Sequence, residues 1–215
     1  TGQTAGWATS LLNLAGYKNA KSMKWGMSSW HTDNAGKWNS NASNDKSTQY
    51  TTDVTAKPEA GSLPVLSTGY STGPEIFEAR LAAVFAEGFA AAKTSDTDVF
   101  TNSGDYHIVN YWKDSHYSYK HIPGAMQYTP KGSLKLDEEL KTLATDKKVA
   151  IYCYTGQTSA FMTAYLRLIG YDAKSITFGT NGMIYDDMLE WNTNNPDNKM
   201  TVWTEENESH TYEQV

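Results

Sequence analysis

Apolar residues recur at helical spacing in two stretches of the first half of the chain. The stretch from Gly6 to Leu14 predicts one helix, and Glu75–Lys93 predicts a second, amphipathic one, with Pro74 at the first-turn position where proline is tolerated. The sequence between them is rich in Asn, Ser, Gly and Pro. That composition predicts a linker over residues 47–73.

In the second half, short apolar runs alternate with helical patterns. The runs predict strands at Tyr106–Trp112, Ala125–Tyr128, Val149–Tyr152 and Ser175–Phe178. The patterns between them predict helices at Leu136–Ala144, Ser159–Ile169 and Met183–Trp191. Strands that alternate with helices indicate an α/β fold, in which a parallel sheet is covered by helices on both faces.

The chain also contains an internal repeat. Residues 1–17 align without gaps with residues 155–171, and both copies contain Thr-Gly-Gln-Thr and end on Gly-Tyr. After a slip of one residue, Ala20-Lys-Ser22 matches Ala173-Lys-Ser175, and Gly26 matches Gly179. The first copy accordingly predicts a strand around Ala20–Lys24, followed by a short helix or turn at Met27–Trp30.

The repeat divides the chain into two structural units. Residues 1–46 are expected to form the rear part of a first unit, residues 74–200 a complete second unit, and residues 201–215 a polar tail. Because no strand precedes the first loop and helix, the first unit is expected to be truncated. It would be completed by a missing N-terminal fragment or by another chain.

Charge and composition exclude several classes of function. With 18 Lys and Arg against 24 Asp and Glu, the net charge of −6 leaves no cationic excess for nucleic-acid binding. The apolar stretch Ile76–Ala92 is interrupted by charged residues, so no membrane span is predicted. The low charged fraction and the Asn/Ser/Thr-rich loops are typical of exported bacterial proteins, which leads us to expect an extracytoplasmic location after removal of a leader.

The single cysteine, Cys153, follows an apolar strand and opens a loop that leads directly into a helix. A positive φ at Gly156 would allow the loop to curl its N–H groups towards the sulfur, and the helix N-terminus would add positive potential. The hydroxyls of Thr155, Thr158 and Ser159 are further donors, with Ser159 as the expected helix cap. Such a cradle favours the nucleophilic thiolate. No metal site and no cofactor are predicted, because one thiol and scattered histidines offer no ligand set.

The loop Cys-Tyr-Thr-Gly-Gln-Thr-Ser over residues 153–159, the upstream His121-Ile-Pro-Gly-Ala125 and the helix-ending Gly170-Tyr171 resemble the rhodanese or thiosulfate sulfurtransferase superfamily. The resemblance implies that Cys153 is the catalytic cysteine, which carries sulfur as a persulfide from a small donor to a thiol or other thiophilic acceptor. It also implies that six loop residues bind this sulfur: Tyr154, Thr155, Gly156, Gln157, Thr158 and Ser159. Related phosphatases place an Arg where this chain has Ser159, which disfavours phosphate chemistry.

Two departures from the family pattern keep an alternative open. Where many members have Asp-Val-Arg, this chain has Asn110-Tyr111-Trp112, and its cysteine loop lacks the basic residue of efficient thiosulfate users. A donor of lower charge than thiosulfate is therefore expected to suit this loop better. The alternative is a non-catalytic rhodanese-like module that binds a partner or senses oxidants through its cysteine. A third hypothesis places the function in the Trp-rich front segment, with the second unit as scaffold.

Overall fold

Five parallel strands form one sheet. In the computed structural model, which describes residues 1–205 and 210–211, the strands run in the order β1-β5-β4-β2-β3. Their bounds are Lys93–Thr94 (β1), Tyr106–Asn110 (β2), Met126–Gln127 (β3), Lys148–Tyr152 (β4) and Ala173–Ile176 (β5). The two longest strands, β2 and β4, lie side by side near the centre.

Seven α-helices accompany the sheet within the described residues. They are α1 (Gln3–Leu14), α2 (Gly36–Asn39), α3 (Gly73–Ala91), α4 (Asp96–Thr101), α5 (Asp114–Tyr119), α6 (Gln157–Leu168) and α7 (Tyr185–Asn194). Short 3₁₀ turns connect them, among them Gly26–Ser29 and Gly179–Gly182.

Both faces of the sheet are buried. Successive side chains of a strand point to opposite faces, and a parallel sheet is normally covered on both. On one face, Val109, Val149 and Ile151 pack with Leu166 of α6. On the opposite face, the neighbouring strand residues pack against α4 and α7; this cluster includes Ile108, Ala150, Tyr152, Val99 and Met188. The predicted α/β fold, a parallel sheet between helical layers, is therefore confirmed.

Helix α1 of the first repeat packs against α6 of the second. Trp7 and Leu11 share a buried apolar cluster with Val84 of α3 and with two alanines of α6, Ala160 and Ala164. The backbones approach closely because Gly6 lies at the contact, where an added Cβ would be 3.0 Å from the carbonyl oxygen of Gln157. The predicted helix after Pro74 thus packs on both copies of the repeat.

The tryptophans of the front segment are covered by the rest of the chain. Trp25 and Trp38 form a buried cluster with Trp203, and Phe178 packs against it. The rings of Trp25 and Trp38 meet edge to face, with centroids 4.8 Å apart. This cluster and the α1–α6 contact attach residues 1–46 to the sheet; the division into two repeat units stays a prediction.

The strand predicted at Ala20–Lys24 is wrong, because this segment is irregular up to a turn at Lys24 and pairs with no strand in the described part of the chain. The strand next to β5 at that edge of the sheet is β1. Residues 20–24 are instead attached by a side chain, since Gln157 Nε2 donates to the carbonyl oxygen of Met23 at 2.9 Å.

The helix predicted at Leu136–Ala144 is also wrong. Turns occupy most of the segment, and only Leu140–Thr142 forms a 3₁₀ turn. Glu139 explains why a regular helix does not form. Its N–H donates to the carbonyl oxygen of Ser133 at 2.8 Å, six residues upstream, and its carboxylate pairs with Lys57 of the linker.

Other boundaries differ by a few residues from those predicted. Strand β2 ends at Asn110 rather than Trp112, and α6 begins at Gln157 rather than Ser159. Four short elements were not predicted: β1, α2, α4 and α5. They span two to six residues, too few for hydrophobic periodicity to reveal them.

After a 3₁₀ turn at Ser47–Gln49, residues 50–72 have almost no regular secondary structure; their role as a linker stays a prediction. The first part is attached to the second repeat unit through Thr51, which exchanges two backbone hydrogen bonds with His121. Further along, Gly61 N–H donates to the carbonyl oxygen of Lys141. Beyond Pro64 the chain is exposed, with Val65 90% and Tyr70 56% accessible.

The polar tail predicted from residue 201 starts later than expected. Trp203 is buried, and its N–H donates to Asn181 Oδ1. The parts of the predicted tail at 206–209 and 212–215 lie outside the described residues. No helix in the described part of the chain is long and apolar enough to cross a bilayer.

His107 on β2 gives the stability of the fold a specific pH dependence. Its Nε2 lies 3.1 Å from the hydroxyl of Tyr128, and burial lowers the pKa of His107 from 6.5 to about 4, with Lys147 contributing. The unfolded chain binds the proton first, so this stability is present above pH 6.5 and is lost as the pH falls towards 4.

We therefore expect the pH dependence of stability to weaken in His107→Gln. Between pH 7 and pH 4.5, wild type should lose roughly 2 kcal/mol more than the variant, because one proton uptake is removed. Urea unfolding at both pH values measures the difference. Equal losses in the two proteins would contradict the prediction.

Candidate functional site

Cys153 lies immediately after β4 with only 2% of its surface exposed. The N–H of Ser159 donates to its Sγ at 3.4 Å. The hydroxyl oxygens of Ser159 and Thr155 lie 3.6 and 3.9 Å from Sγ. The sulfur is thus surrounded by polar groups that can donate hydrogen bonds, although Cys153 directly follows an apolar strand.

The turn that follows β5 orients the first peptides of the cysteine loop. Thr180 N–H donates to the carbonyl oxygen of Cys153 at 3.0 Å, and Asn181 N–H donates to that of Tyr154 at 3.1 Å. In a trans peptide, the N–H points away from the carbonyl. The N–H groups of Tyr154 and Thr155 therefore point away from this turn.

Several N–H groups of the loop are not used by the fold, among them that of Tyr154. Those of Thr155, Gly156 and Thr158 have no hydrogen-bond acceptor within residues 1–205 and 210–211. Unpaired N–H groups at the start of a helix are a favourable environment for an anion, and the first turn of α6 adds the positive end of its dipole. The loop can therefore stabilise negative charge without a cationic side chain of its own.

Gly156 makes the tight turn possible. It has a φ of 73°, and its N-cap position precedes the first residue of α6, Gln157. A Cβ at Gly156 would lie 2.6 Å from Gln3 Oε1 and 2.9 Å from the backbone nitrogen of Phe178. Ser159, expected as the cap, is instead the third residue of α6, and its hydroxyl contacts that of Ser175 at 2.8 Å.

The two glutamines of the repeated Thr-Gly-Gln-Thr motif form reciprocal hydrogen bonds between the repeats. Gln3 Oε1 accepts a hydrogen bond from Phe178 N–H at 3.0 Å, and Gln157 Oε1 accepts one from Trp25 N–H at 2.8 Å. Both aromatic residues have positive φ, 61° for Phe178 and 64° for Trp25. Each motif therefore holds the turn that belongs to the other copy.

Tyr154 forms one wall of the loop. Its ring stacks on Trp112, with centroids 5.2 Å apart and planes 9° from parallel, and its hydroxyl bonds to Nδ1 of His116. Burial, with a contribution from negative charge on Cys153, raises the pKa of Tyr154 well above its usual range. The phenol is therefore a neutral donor beside the cysteine.

The protonation of His116 follows from its partners. Its Nε2 lies 3.1 Å from the carbonyl oxygen of Asn198, which can only accept, so Nε2 carries the proton and Nδ1 accepts from Tyr154. Burial lowers the pKa of His116, and the hydrogen bond that His116 donates to the Asn198 carbonyl oxygen partly opposes this shift. Trp112 and His116 thus hold Tyr154 without any formal charge.

The predicted site residues separate into two groups. Four of them line an open cavity of about 310 Å³ beside the loop: Tyr154, Thr155, Gln157 and Thr158. The other three, Cys153, Gly156 and Ser159, are buried and do not line it. Sequence reasoning did not identify Trp112 and His116 as partners of Tyr154, or Gln3 as a partner of the loop. The repeated Gln is the signal that could have identified Gln3.

The remaining histidines and acidic residues do not suggest metal chemistry. His121 is fully buried, with Nδ1 2.7 Å from the carbonyl oxygen of Tyr117 and Nε2 3.1 Å from that of Asp53. Those contacts give it a structural role. No group of three His, Cys, Asp or Glu that could hold a metal ion is present in the described part of the chain.

Residues 98–184 match the family model described as rhodanese-like domain. This part of the chain is a rhodanese-like domain. The matched residues extend from within α4 to the residue before α7 and include the cysteine loop. Residues 1–46, the first copy of the repeat, lie outside the match.

Among solved structures, the chain is similar to a rhodanese-related protein from Thermoplasma volcanium, at 21% identity and a TM-score of 0.38. The likeness covers 44% of this chain and 92% of that protein. No curated protein matches the chain.

Gly156→Ala tests the conformation of the loop. We expect a loss of roughly 2–3 kcal/mol in the free energy of unfolding, because alanine is strained at positive φ and its Cβ would contact the backbone of Phe178. Urea unfolding measures it. The control is Gly36→Ala, where the added Cβ meets no atom within 4 Å; a change within about 0.5 kcal/mol is expected there. Similar changes in both variants would contradict the role given to Gly156.

Proposed function

We propose that this protein is a rhodanese-type sulfurtransferase in which Cys153 carries sulfane sulfur. The observation that supports the proposal is the environment of Sγ, which accepts the Ser159 N–H at 3.4 Å, together with the unpaired N–H groups of Thr155, Gly156 and Thr158. A terminal persulfide sulfur extends the thiolate by one atom and needs additional donors. These N–H groups are available for it.

The transfer has two balanced steps. The Cys153 thiolate attacks the sulfane sulfur of a small donor; a new S–S bond forms, and the old bond leaves with its electron pair on the rest of the donor. A thiol or other thiophilic acceptor, as its anion, then attacks the outer sulfur of the persulfide. That sulfur moves to the acceptor, and the Cys153 thiolate is regenerated.

The non-catalytic alternative is favoured by two observations. Cys153 is only 2% exposed, and two buried, uncharged residues, Asn110 and Trp112, stand where many family members have an acid and a base. In that alternative the module binds a partner or responds to oxidants at the cysteine without turnover. Oxidation and sulfur loading leave different products on the thiol, so one measurement separates the two functions.

Residues 1–46 are proposed to be the rear part of another rhodanese-like unit, the first of the two along the chain. The proposal is supported by the matching helices α1 and α6, each of twelve residues and each preceded by a glycine at positive φ. Completion of that unit by another fragment or chain, and an extracytoplasmic location, stay predictions.

Intact mass spectrometry tests the sulfur-carrier role. After incubation with thiosulfate or a small persulfide, the chain should gain about 32 Da, the mass of one sulfur on the thiol, and treatment with cyanide should remove it as thiocyanate. Cys153→Ser should show no gain. Sulfinic acid adds a nearly equal mass, but cyanide does not remove it.

A gain that resists cyanide, or steps of about 16 Da that correspond to added oxygen, would favour the redox-sensing alternative. No cyanide-sensitive gain with any donor would overturn the sulfurtransferase proposal.

A further inference from the structure

A cavity beside the cysteine loop is shared by the two copies of the repeat. Its volume of about 310 Å³ is ample for a small oxyanion. Its lining includes the four loop residues named above. Ser22 and Lys24 of the first repeat also line it, together with Thr201.

The backbone around Lys24 is held to the loop by a single side chain. Gln157 Nε2 donates to the carbonyl oxygen of Met23 at 2.9 Å, and Gln157 Oε1 accepts from Trp25 N–H at 2.8 Å. Lys24 is the residue between these two contacts. Its position relative to the cysteine loop is therefore set by a residue of the loop itself.

The exposed side chain of Lys24 contacts the ring of its neighbour, Trp25. Its Nζ lies 5.1 Å from the centre of the Trp25 ring, which is buried against Trp38 and Trp203. This cation–π contact restrains the ammonium and leaves its N–H donors available. Lys24 is the one charged residue among the described residues that line the cavity, and no carboxylate competes for it there.

We propose that Lys24 is a specificity-determining residue that favours sulfur donors with a doubly charged oxyanion group. The inference rests on the proposed sulfur transfer at Cys153. The loop supplies only neutral donors, so the cation for the donor comes from the first repeat. The sequence of the loop alone led to the opposite expectation, a preference for donors of lower charge than thiosulfate.

The role of Lys24 is electrostatic and concerns donor binding. When the Cys153 thiolate takes the sulfane sulfur of thiosulfate, sulfite leaves with the electron pair and the total charge is unchanged. With methanethiosulfonate the bond changes are the same and methanesulfinate leaves. The two donors therefore differ in charge, −2 against −1, at the same reacting S–S bond, and Coulomb attraction to Lys24 scales with that charge.

The test measures kcat/KM of the full chain for both donors, with cyanide as acceptor, in wild type and Lys24→Gln. We expect a loss of about fivefold to tenfold with thiosulfate and about twofold to threefold with methanethiosulfonate. The losses should appear in KM. Lys24→Arg should recover most of the activity with thiosulfate.

Lys21→Gln is the matched control. Lys21 is exposed on the same segment and does not line the cavity, so its removal changes the net charge equally and should affect both donors by less than about twofold. A similar loss of thiosulfate activity in this variant would assign the effect to overall charge and overturn the role of Lys24.

The outcomes separate this inference from the proposed function. Turnover in wild type with equal losses for the two donors in Lys24→Gln, or a loss confined to kcat, would overturn the inference and leave the sulfurtransferase intact. Absence of sulfur transfer from every donor would overturn both.

Discussion

The reciprocal ties of Gln3 and Gln157 are the constraint on which the site depends. Each glutamine follows a glycine at positive φ, begins a helix and reaches a backbone N–H in the other copy of the repeat. Trp25 and Phe178, the residues they hold, adopt left-handed conformations that are unfavourable for bulky side chains. The hydrogen bonds help to stabilise these turns. Since the turn at Phe178 leads into the residues that hold the carbonyls of Cys153 and Tyr154, the cysteine loop depends on the first repeat as well as on its own sheet.

Around the sulfur, the fold uses neutral groups in place of formal charges. Trp112 and His116 hold Tyr154 by stacking and by a hydrogen bond, and the pKa shifts of both ionisable partners favour their uncharged forms. Main-chain N–H groups and hydroxyls complete the environment of Sγ. Buried charges would require paired partners, whereas burying neutral groups costs less free energy. Negative charge on sulfur is then stabilised by neutral groups that the fold has already oriented.

The sequence predicted most of the fold and part of the site, for identifiable reasons. The long periodic helices α1, α3 and α6 and the apolar strands β2 and β4 could be recognised because burial imposes a regular spacing on their residues. Ala20–Lys24 was misread as a strand, because its match to β5 does not specify a pairing partner. Leu136–Ala144 has the composition of a helix, but Glu139 is bonded to Ser133 and Lys57. The contacts of the site with Gln3, Trp25 and His116 join residues 38 to 175 positions apart and have no local signature.

The exposed chain beyond Pro64 has a consequence for the integrity of the molecule. A protease that cut near Val65 would break the covalent link between the residues before the cut and the rhodanese-like domain. The α1–α6 packing, the tryptophan cluster and both glutamine contacts join residues on the two sides of the cut and would remain. The nicked protein would remain a two-chain complex. The two pieces would behave as complementing fragments, because residues from both of them hold the cysteine loop in place.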